Sequence, residues 1–272
     1  MERSFETPGE PRLRVRNPAG LVAIETAETG ETTVELQALR DDEVTRTAIE
    51  NAVVEHRGGT VTVEIAKAGW SFLGRSPSVG IRIRCPYGSM LECTTASADV
   101  SATGRLGEVD VKTASGDVVL EHVGGELNVK TASGGVRAET VDGVGNLNLV
   151  SGDVRIGVAR AQLAVRLVSG DLELAEAHAE LAISSVSGDQ QIGSVRRGQV
   201  QLQSVSGDLE VGVAQGTRVF IDASTTSGDV SSQLDVTQAP GENRAGDEAK
   251  LRLKSVSGDI SIVRSALPAG VA

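Results

Sequence analysis

"LVSGDVRI" (residues 149–156) is echoed by "LVSGDLEL" (167–174), "SVSGDQQI" (185–192) and "SVSGDLEV" (204–211). Each copy places Ser-Gly-Asp just ahead of a run in which apolar and polar residues alternate. Working outward from these four, the motif serines are Ser97, Ser115, Ser133, Ser151, Ser169, Ser187, Ser206, Ser227 and Ser257. Five intervals of 18 residues are followed by intervals of 19, 21 and 30. A near-fixed period of this length marks a repeat architecture, which governs how every other motif is interpreted.

One unit, "SGDVVLEHVGGELNVKTA" (115–132), holds two short alternating runs, Val118-Leu120 leading to Val123 and Leu127-Val129-Thr131. Alternation with period two is the pattern of a strand with one buried face. The "SGD" and "GG" between the runs are turn chemistry. Aliphatic residues recur at the same phases along the chain, as Val118, Val136, Val154, Leu172 and Leu209, and as Leu120, Ile156, Leu174, Ile192 and Val211. Val109 and Val111, Leu127 and Val129, Leu163 and Val165, and Leu181 and Ile183 repeat in the same way. Each set is a column facing inward.

Two architectures use such columns. An antiparallel meander would leave one wide apolar face bare, because the repeat region has no amphipathic helix to cover it, and a barrel of so many strands would be open in the middle. A parallel solenoid stacks its coils about 4.8 Å apart and closes its two apolar faces on each other. The pattern therefore predicts an all-β parallel β-solenoid (β-helix) with about 18 residues and two strands per coil. Proline agrees, since none occurs between Tyr87 and Pro240, as strands paired on both sides require. Gly supplies the left-handed conformation of a tight corner, and Ser and Asp can hydrogen-bond the groups that a corner leaves unpaired.

The period also runs backwards. In "VGIRIRCPYGSMLECTTA" (79–96), Leu91, Cys93 and Thr95 fall in the columns of Val109, Val111 and Thr113, which predicts one more coil cornered at "PYGS". "NPAGLVAIETAETGETTVELQAL" (17–39) is expected to form two strands around a turn. In "DDEVTRTAIENAVVEH" (41–56), Val44, Ala48, Ile49, Ala52 and Val53 have helical spacing behind Asp41 or Asp42 as N-cap. The expected organisation is a capping portion of the same domain over 1–78, solenoid repeats over 79–264 and a disordered tail over 265–272. "QAPGENRAGDEAK" (238–250) accounts for the longest interval and is expected to be a loop leaving the coil, functional or merely disordered.

A net charge of −11 argues against a nucleic-acid partner, which would need clustered Lys and Arg. No run of about 18 apolar residues is present, so no membrane span is expected. The opening "MERSFETPGEPRLRV" has no apolar core of a secretory signal. With only Cys85 and Cys93, read as buried reduced thiols with a disulfide between them as the alternative, the expected location is the cytoplasm, a surface location being left open.

The repeated "SGDV" and "SVSGDL" units, the "RLRVRNPAG" start and the "IRIRCPYGSMLECTTASADV" entry resemble the bacterial β-strand-repeat domain of unknown function that is labelled adhesin-like, over roughly residues 10–264. The resemblance implies a binding role on a β-helical stem and brings no catalytic residues with it.

Among candidate sites, the sharpest is the column of corner aspartates, with Asp117, Asp153, Asp171, Asp189 and Asp208 at its centre and Gly135 breaking it. Stacked carboxylates could collect Ca²⁺ or serve as acid and base on a glycan, although one Asp per 18 residues does not match the nine-residue calcium-roll signature. Turn capping is the plainer role. Outward positions Lys112, Lys130, Asn148, Arg166 and Ser184 are mixed and read as a solvated face. "KAGWSFLGRSP" (67–77) gathers Trp70, Phe72 and Leu73, either core packing or an anchor for a partner. The expectation is a non-catalytic, adhesin-like scaffold or interaction module without cofactor. It would bind a protein or glycan, as a monomer or end-to-end oligomer. A carbohydrate-active or cation-binding β-helix is the alternative.

Overall fold

The computed structural model describes residues 1–66, 76–234 and 247–265. The chain divides into two compact units, Met1–Gly143 and Val144–Ala272. Each is a parallel β-solenoid, and the one helix among the described residues lies in the first.

In unit 1 the elements are β1 (Glu2–Glu6), β2 (Arg12–Ala27), β3 (Glu31–Ala38), α1 (Glu43–Glu50), β4 (Val53–Arg57), β5 (Thr60–Glu64), β6 (Val79–Pro86), β7 (Met90–Leu106), β8 (Val109–Thr113), β9 (Val118–Val123), β10 (Leu127–Ser133) and β11 (Val136–Val141). They form two rows. β2 and β7 are long because each runs through a corner and serves both rows. The first row places β5, the start of β2, the start of β7, β8 and β10 side by side, all parallel. The second places β6, the end of β2, the end of β7, β9 and β11 likewise. Leu91 lies beside Val109 and Cys93 beside Val111, as the 18-residue phase predicts.

The order of coils departs from the sequence. Residues 12–27, expected in a capping portion, form an inner coil. Arg12 pairs with both Thr60 and Met90, and Gly20 with both Val79 and Ala98. Strand 79–86 is therefore separated by β2 from the second half of β7. Beyond this coil, antiparallel strands finish the unit, with β4 on β5 in one row and β3 then β1 on β6 in the other. α1 starts at Asp42, whose Oδ1 accepts from Thr45 N–H at 2.7 Å. Its buried face is Thr45 and Ala48, while Val44 and Val53 are exposed. The helix is turned from the expected face because the Thr45 hydroxyl accepts from the Ser78 N–H at 3.2 Å.

Unit 2 comprises β12 (Gly145–Ser151), β13 (Val154–Ala159), β14 (Leu163–Ser169), β15 (Leu172–Ala177), β16 (Leu181–Ser187), β17 (Gln190–Val195), β18 (Gly198–Ser206), β19 (Leu209–Val213), β20 (Arg218–Ser227), β21 (Val230–Ser232), β22 (Glu248–Ser257) and β23 (Ile260–Arg264). The first row runs β12, β14, β16, β18, β22, β20, and the second β13, β15, β17, β19, β23, β21. The last coil in sequence is thus inserted before the one that precedes it. Ser257 lies between Ser206 and Ser227. The 30-residue interval is the one that separates the two coils whose order is exchanged. Residues 248–250 of the expected loop are strand, with Ala249 fully buried, and 238–246 lie outside the described residues.

The core is the set of inward columns. Leu163, Val165, Leu181, Ile183, Val200 and Leu202 are buried in successive coils of one row, and Leu172, Leu174 and Ile192 in the other. Each such side chain contributes roughly 1.5–3 kcal/mol. The column breaks at Gln190, which takes the place of Leu172 and Leu209 yet is buried. Its Nε2 donates to Ser185 Oγ at 2.7 Å and to the Gln203 carbonyl at 3.1 Å.

Candidate functional site

The corner aspartates form a ladder of side chain to backbone bonds. In unit 1, Asp99 Oδ1 accepts from the Asp117 N–H at 3.0 Å, and Asp117 Oδ1 from the Gly135 N–H at 2.8 Å. In unit 2, Asp153 accepts from Asp171 (3.1 Å), Asp171 from Asp189 (2.9 Å) and Asp189 from Asp208 (2.8 Å). The ladder then follows space rather than sequence. Asp208 accepts from Asp259 at 2.7 Å, and Asp259 from Asp229 at 2.8 Å. Around each rung the backbone closes too: Gly170 N–H donates to the Ser187 carbonyl at 3.2 Å, and Val154 N–H to the Asp171 carbonyl at 2.9 Å. The aspartates cap corners, as the simpler reading has it, but each caps the amide of the neighbouring coil and so ties coil to coil.

This arrangement bears directly on cation binding. Ca²⁺ takes six to eight oxygens converging on one point. Here one oxygen of every carboxylate in the ladder except that of Asp229 is committed to an amide, and the carboxylates are dispersed along the coils at no more than one per corner. Among the described residues no three His, Cys, Asp or Glu side chains come together as a metal site.

The remaining reactive groups are scattered. His122 Nε2 meets Asp142 Oδ2 at 2.7 Å in unit 1, His178 Nε2 meets Glu176 Oε2 at 3.1 Å in unit 2, and His56 tilts against the Phe5 ring. Cys85 and Cys93 are free and buried. Burial pushes the Cys93 thiol up to about 12 and the Cys85 thiol up to about 11, the latter held back by a hydrogen bond with Ser89. Both stay protonated near neutral pH, the unreactive form of cysteine. Trp70, Phe72 and Leu73 lie outside the described residues.

What unit 2 does present is apolar surface. The residue before five of its six motif serines is a valine, Val150, Val168, Val186, Val205 and Val256, each between 48% and 54% exposed, and Thr226 precedes the sixth, Ser227. The in-register serines that follow place these valines on neighbouring strands, in the spatial order β12, β14, β16, β18, β22. The result is an exposed aliphatic stripe across five strands. On one side it is bordered by the exposed motif serines, on the other by Asn148, Arg166, Ser184, Gln203 and Lys254. The same outer face carries a groove of about 270 Å³ whose lining includes Gln199, Gln201, Phe220, Asp222, Lys250 and Arg252. In unit 1 the corresponding residues are Ala96, Ala114 and Ala132, so there is no such stripe.

Against this architecture, a family model described as Toastrack DUF4097 matches residues 21–263. The chain belongs to the Toastrack family. None of the curated proteins matches it. Three solved structures align with this Toastrack chain over nearly their whole length, each with a TM-score of 0.46. A presumed adhesin from Parabacteroides distasonis is 9% identical, with 96% of both chains covered. A presumed adhesin from Bacteroides fragilis is 13% identical, with the same coverage. A presumed lipid-binding protein from Parabacteroides distasonis is 14% identical, covering 97% of this chain and 96% of its own.

The sequence carried a signal for the Toastrack stripe. Val precedes Ser-Gly-Asp in four consecutive copies from 149 to 208. Of the outward positions, Asn148, Arg166 and Ser184 lie two residues before the stripe valines Val150, Val168 and Val186, and Lys112 and Lys130 two before Ala114 and Ala132, so their mixed chemistry describes the row beside the valines rather than the valines themselves.

Proposed function

We propose that this Toastrack chain is a non-catalytic, adhesin-like interaction scaffold. Its binding surface is the outer face of the first row in unit 2, and its partner is a protein that lays an apolar ridge along the valine stripe. The observation that carries this is the stripe itself. Five half-exposed valines in line amount to a few hundred Å² of contiguous apolar surface rimmed by polar residues, the size and setting of an interaction patch. Aliphatic side chains favour a protein over a glycan, since sugars are usually gripped by aromatic rings and fixed polar groups. A rigid parallel stack suits the role, because it holds the five rungs in line without the entropy cost of ordering them on binding. On this reading the location is the cytoplasm, where free thiols persist.

The test is site-specific photo-crosslinking in the organism that makes the protein. A photoreactive phenylalanine analogue replaces Val168, Val186 or Val205, and, as controls, the exposed Arg155, Glu173 or Gln191 of the second row. Discrete protein adducts at the valine positions and none at the controls support the reading. Equal labelling of both faces, or adducts at the controls alone, refutes it.

A further inference from the structure

The outermost coil of unit 2 is unlike every coil beneath it. Its first strand, β20, pairs with β22 on one side and has no strand on the other among the described residues. Ile221 is in register with Leu251, which is 2% exposed, yet Ile221 itself is 42% exposed, and Phe220 and Val230 are 58% and 48% exposed. A ten-residue strand with apolar side chains and a bare edge is the feature natural sheets avoid by shortening, charging or covering it.

The edge also has a directional pattern. In a strand, the N–H and C=O groups of successive residues point to opposite sides. Arg218 N–H points inward, to the Asp247 carbonyl at 2.9 Å. The backbone groups of Phe220 and Asp222 therefore point the same way, whereas Val219, Ile221 and Ala223 offer theirs to the open edge. Now place an identical strand antiparallel alongside, with the two-fold axis at Phe220. Val219 faces Ile221 of the second copy, and both have outward backbone groups, so they form a hydrogen-bonded pair with apolar side chains on the core side. Phe220 faces its own copy in the closer, non-hydrogen-bonded type of pair. Arg218 faces Asp222 of the second copy, a carboxylate that also lies 3.5 Å from the exposed Arg252 of its own neighbouring strand and so would sit between two guanidinium groups, and the symmetric contact repeats it.

Sliding by two residues in either direction, the smallest step that keeps the same residues at the edge, removes the Arg–Asp pairing. A further step sets Arg218 against Arg218 or Asp222 against Asp222, which is repulsive. "RVFID" (218–222) is thus self-complementary in charge, in apolar face and in hydrogen-bond parity, in one register only.

We propose that β20 is the docking edge for a second copy of this chain, joined antiparallel about a two-fold axis at Phe220. Because the contact is isologous it closes on itself, giving a dimer and no filament. One pair of edge strands is a small contact for a specific interface, so association is sought across the micromolar range. This assignment stands independently of the valine-stripe reading, which could fail without touching it.

The test uses the full chain in sedimentation velocity over a concentration series, with oxidative cross-linking of single-cysteine variants. The wild-type mass rises from one chain towards two across the micromolar range. Ile221→Pro deletes an N–H that faces the open edge and takes no bond from β22, so it weakens association at least tenfold while the dilute protein melts as wild type does. Phe220→Cys yields a disulfide-linked dimer on a non-reducing gel, because the two positions are directly opposite, and Asp222→Cys does not. A chain that stays single at all concentrations overturns the proposal, and that outcome includes the case in which its own residues cover the edge. So does a dimer that cross-links as readily through position 222 as through 220.

Discussion

Gly188 adopts φ +122°, and a Cβ built on it would fall on the carbonyl oxygen of Gly170 in the coil below. Gly170, Gly207, Gly258 and Gly228 repeat the positive φ, each against the carbonyl oxygen of the glycine in its neighbouring coil. Two separate constraints thus converge on one atom: a backbone region that L-residues avoid, and a spacing between corners too close for a methyl group. Gly188→Ala is expected to destabilise the protein by about 2–4 kcal/mol, combining strain and overpacking. Gly30→Ala, with open space around its Cβ position and no positive φ, should stay within about 0.5 kcal/mol of wild type. Urea midpoints of the two variants measure the difference, and equal midpoints would show that the corner relaxes freely. At this scale the sequence was legible for the glycine and only partly for the aspartate. Ser-Gly-Asp announces a corner in which Asp accepts from an amide. Which amide depends on the strand spacing, and Asp171 reaches Asp189 N–H rather than one in its own turn because parallel coils in register bring that donor closest.

Among the elements, β22 lies between β18 and β20, although β20 precedes it in the chain. Every coil offers its neighbours the same ladder of amides, and most offer the same aspartate cap and the same aliphatic columns. Nearest-neighbour complementarity therefore does not encode which coil sits beside which. That is why the repeat revealed the fold while the coil order at one end of each unit stayed hidden. Only the irregular intervals hinted at it: 30 residues before Ser257, and a helix and two strands between β2 and β5. The same degeneracy concealed the edge strand. "RVFID" looks like any other alternating run until its outer neighbour is known. Cysteine pairs on the outward face read the order directly, since neighbouring strands are about 4.8 Å apart and next-but-one strands about twice that. With a short bifunctional thiol reagent, Val205→Cys with Val256→Cys and Thr226→Cys with Val256→Cys should cross-link within the chain. Val205→Cys with Thr226→Cys, which sequential stacking would make neighbours, should not. Cross-linking of that third pair at the rate of the first two would contradict the insertion.

At the scale of the whole molecule, a stack is held together mainly by contacts between adjacent coils, and stability is approximately a sum of coil and interface terms. What a truncation does should then depend on where the missing residues sit in space. Removing residues 218–272 takes two coils from the same end of unit 2 and leaves β18 and β19 as a new edge. Removing residues 1–27 takes β1 from the outside of unit 1 but also β2 from its interior, where β2 holds β5, β6 and β7 together through 12–27. The second deletion is shorter by half and is predicted to do far more damage. Hydrogen–deuterium exchange resolves it by peptide. In the 1–217 protein, peptides from β7 should remain as protected as in the full chain, while those from β18 and β19 lose protection only as far as a new edge requires. In the 28–272 protein, peptides from β6 and β7 should exchange at the rate of an unfolded chain while those from β14 to β17 stay protected. If β7 instead kept its protection without residues 12–27, the long-range pairing of Arg12 with Met90 could not be what holds unit 1 together, and the inner placement of β2 would have to be given up.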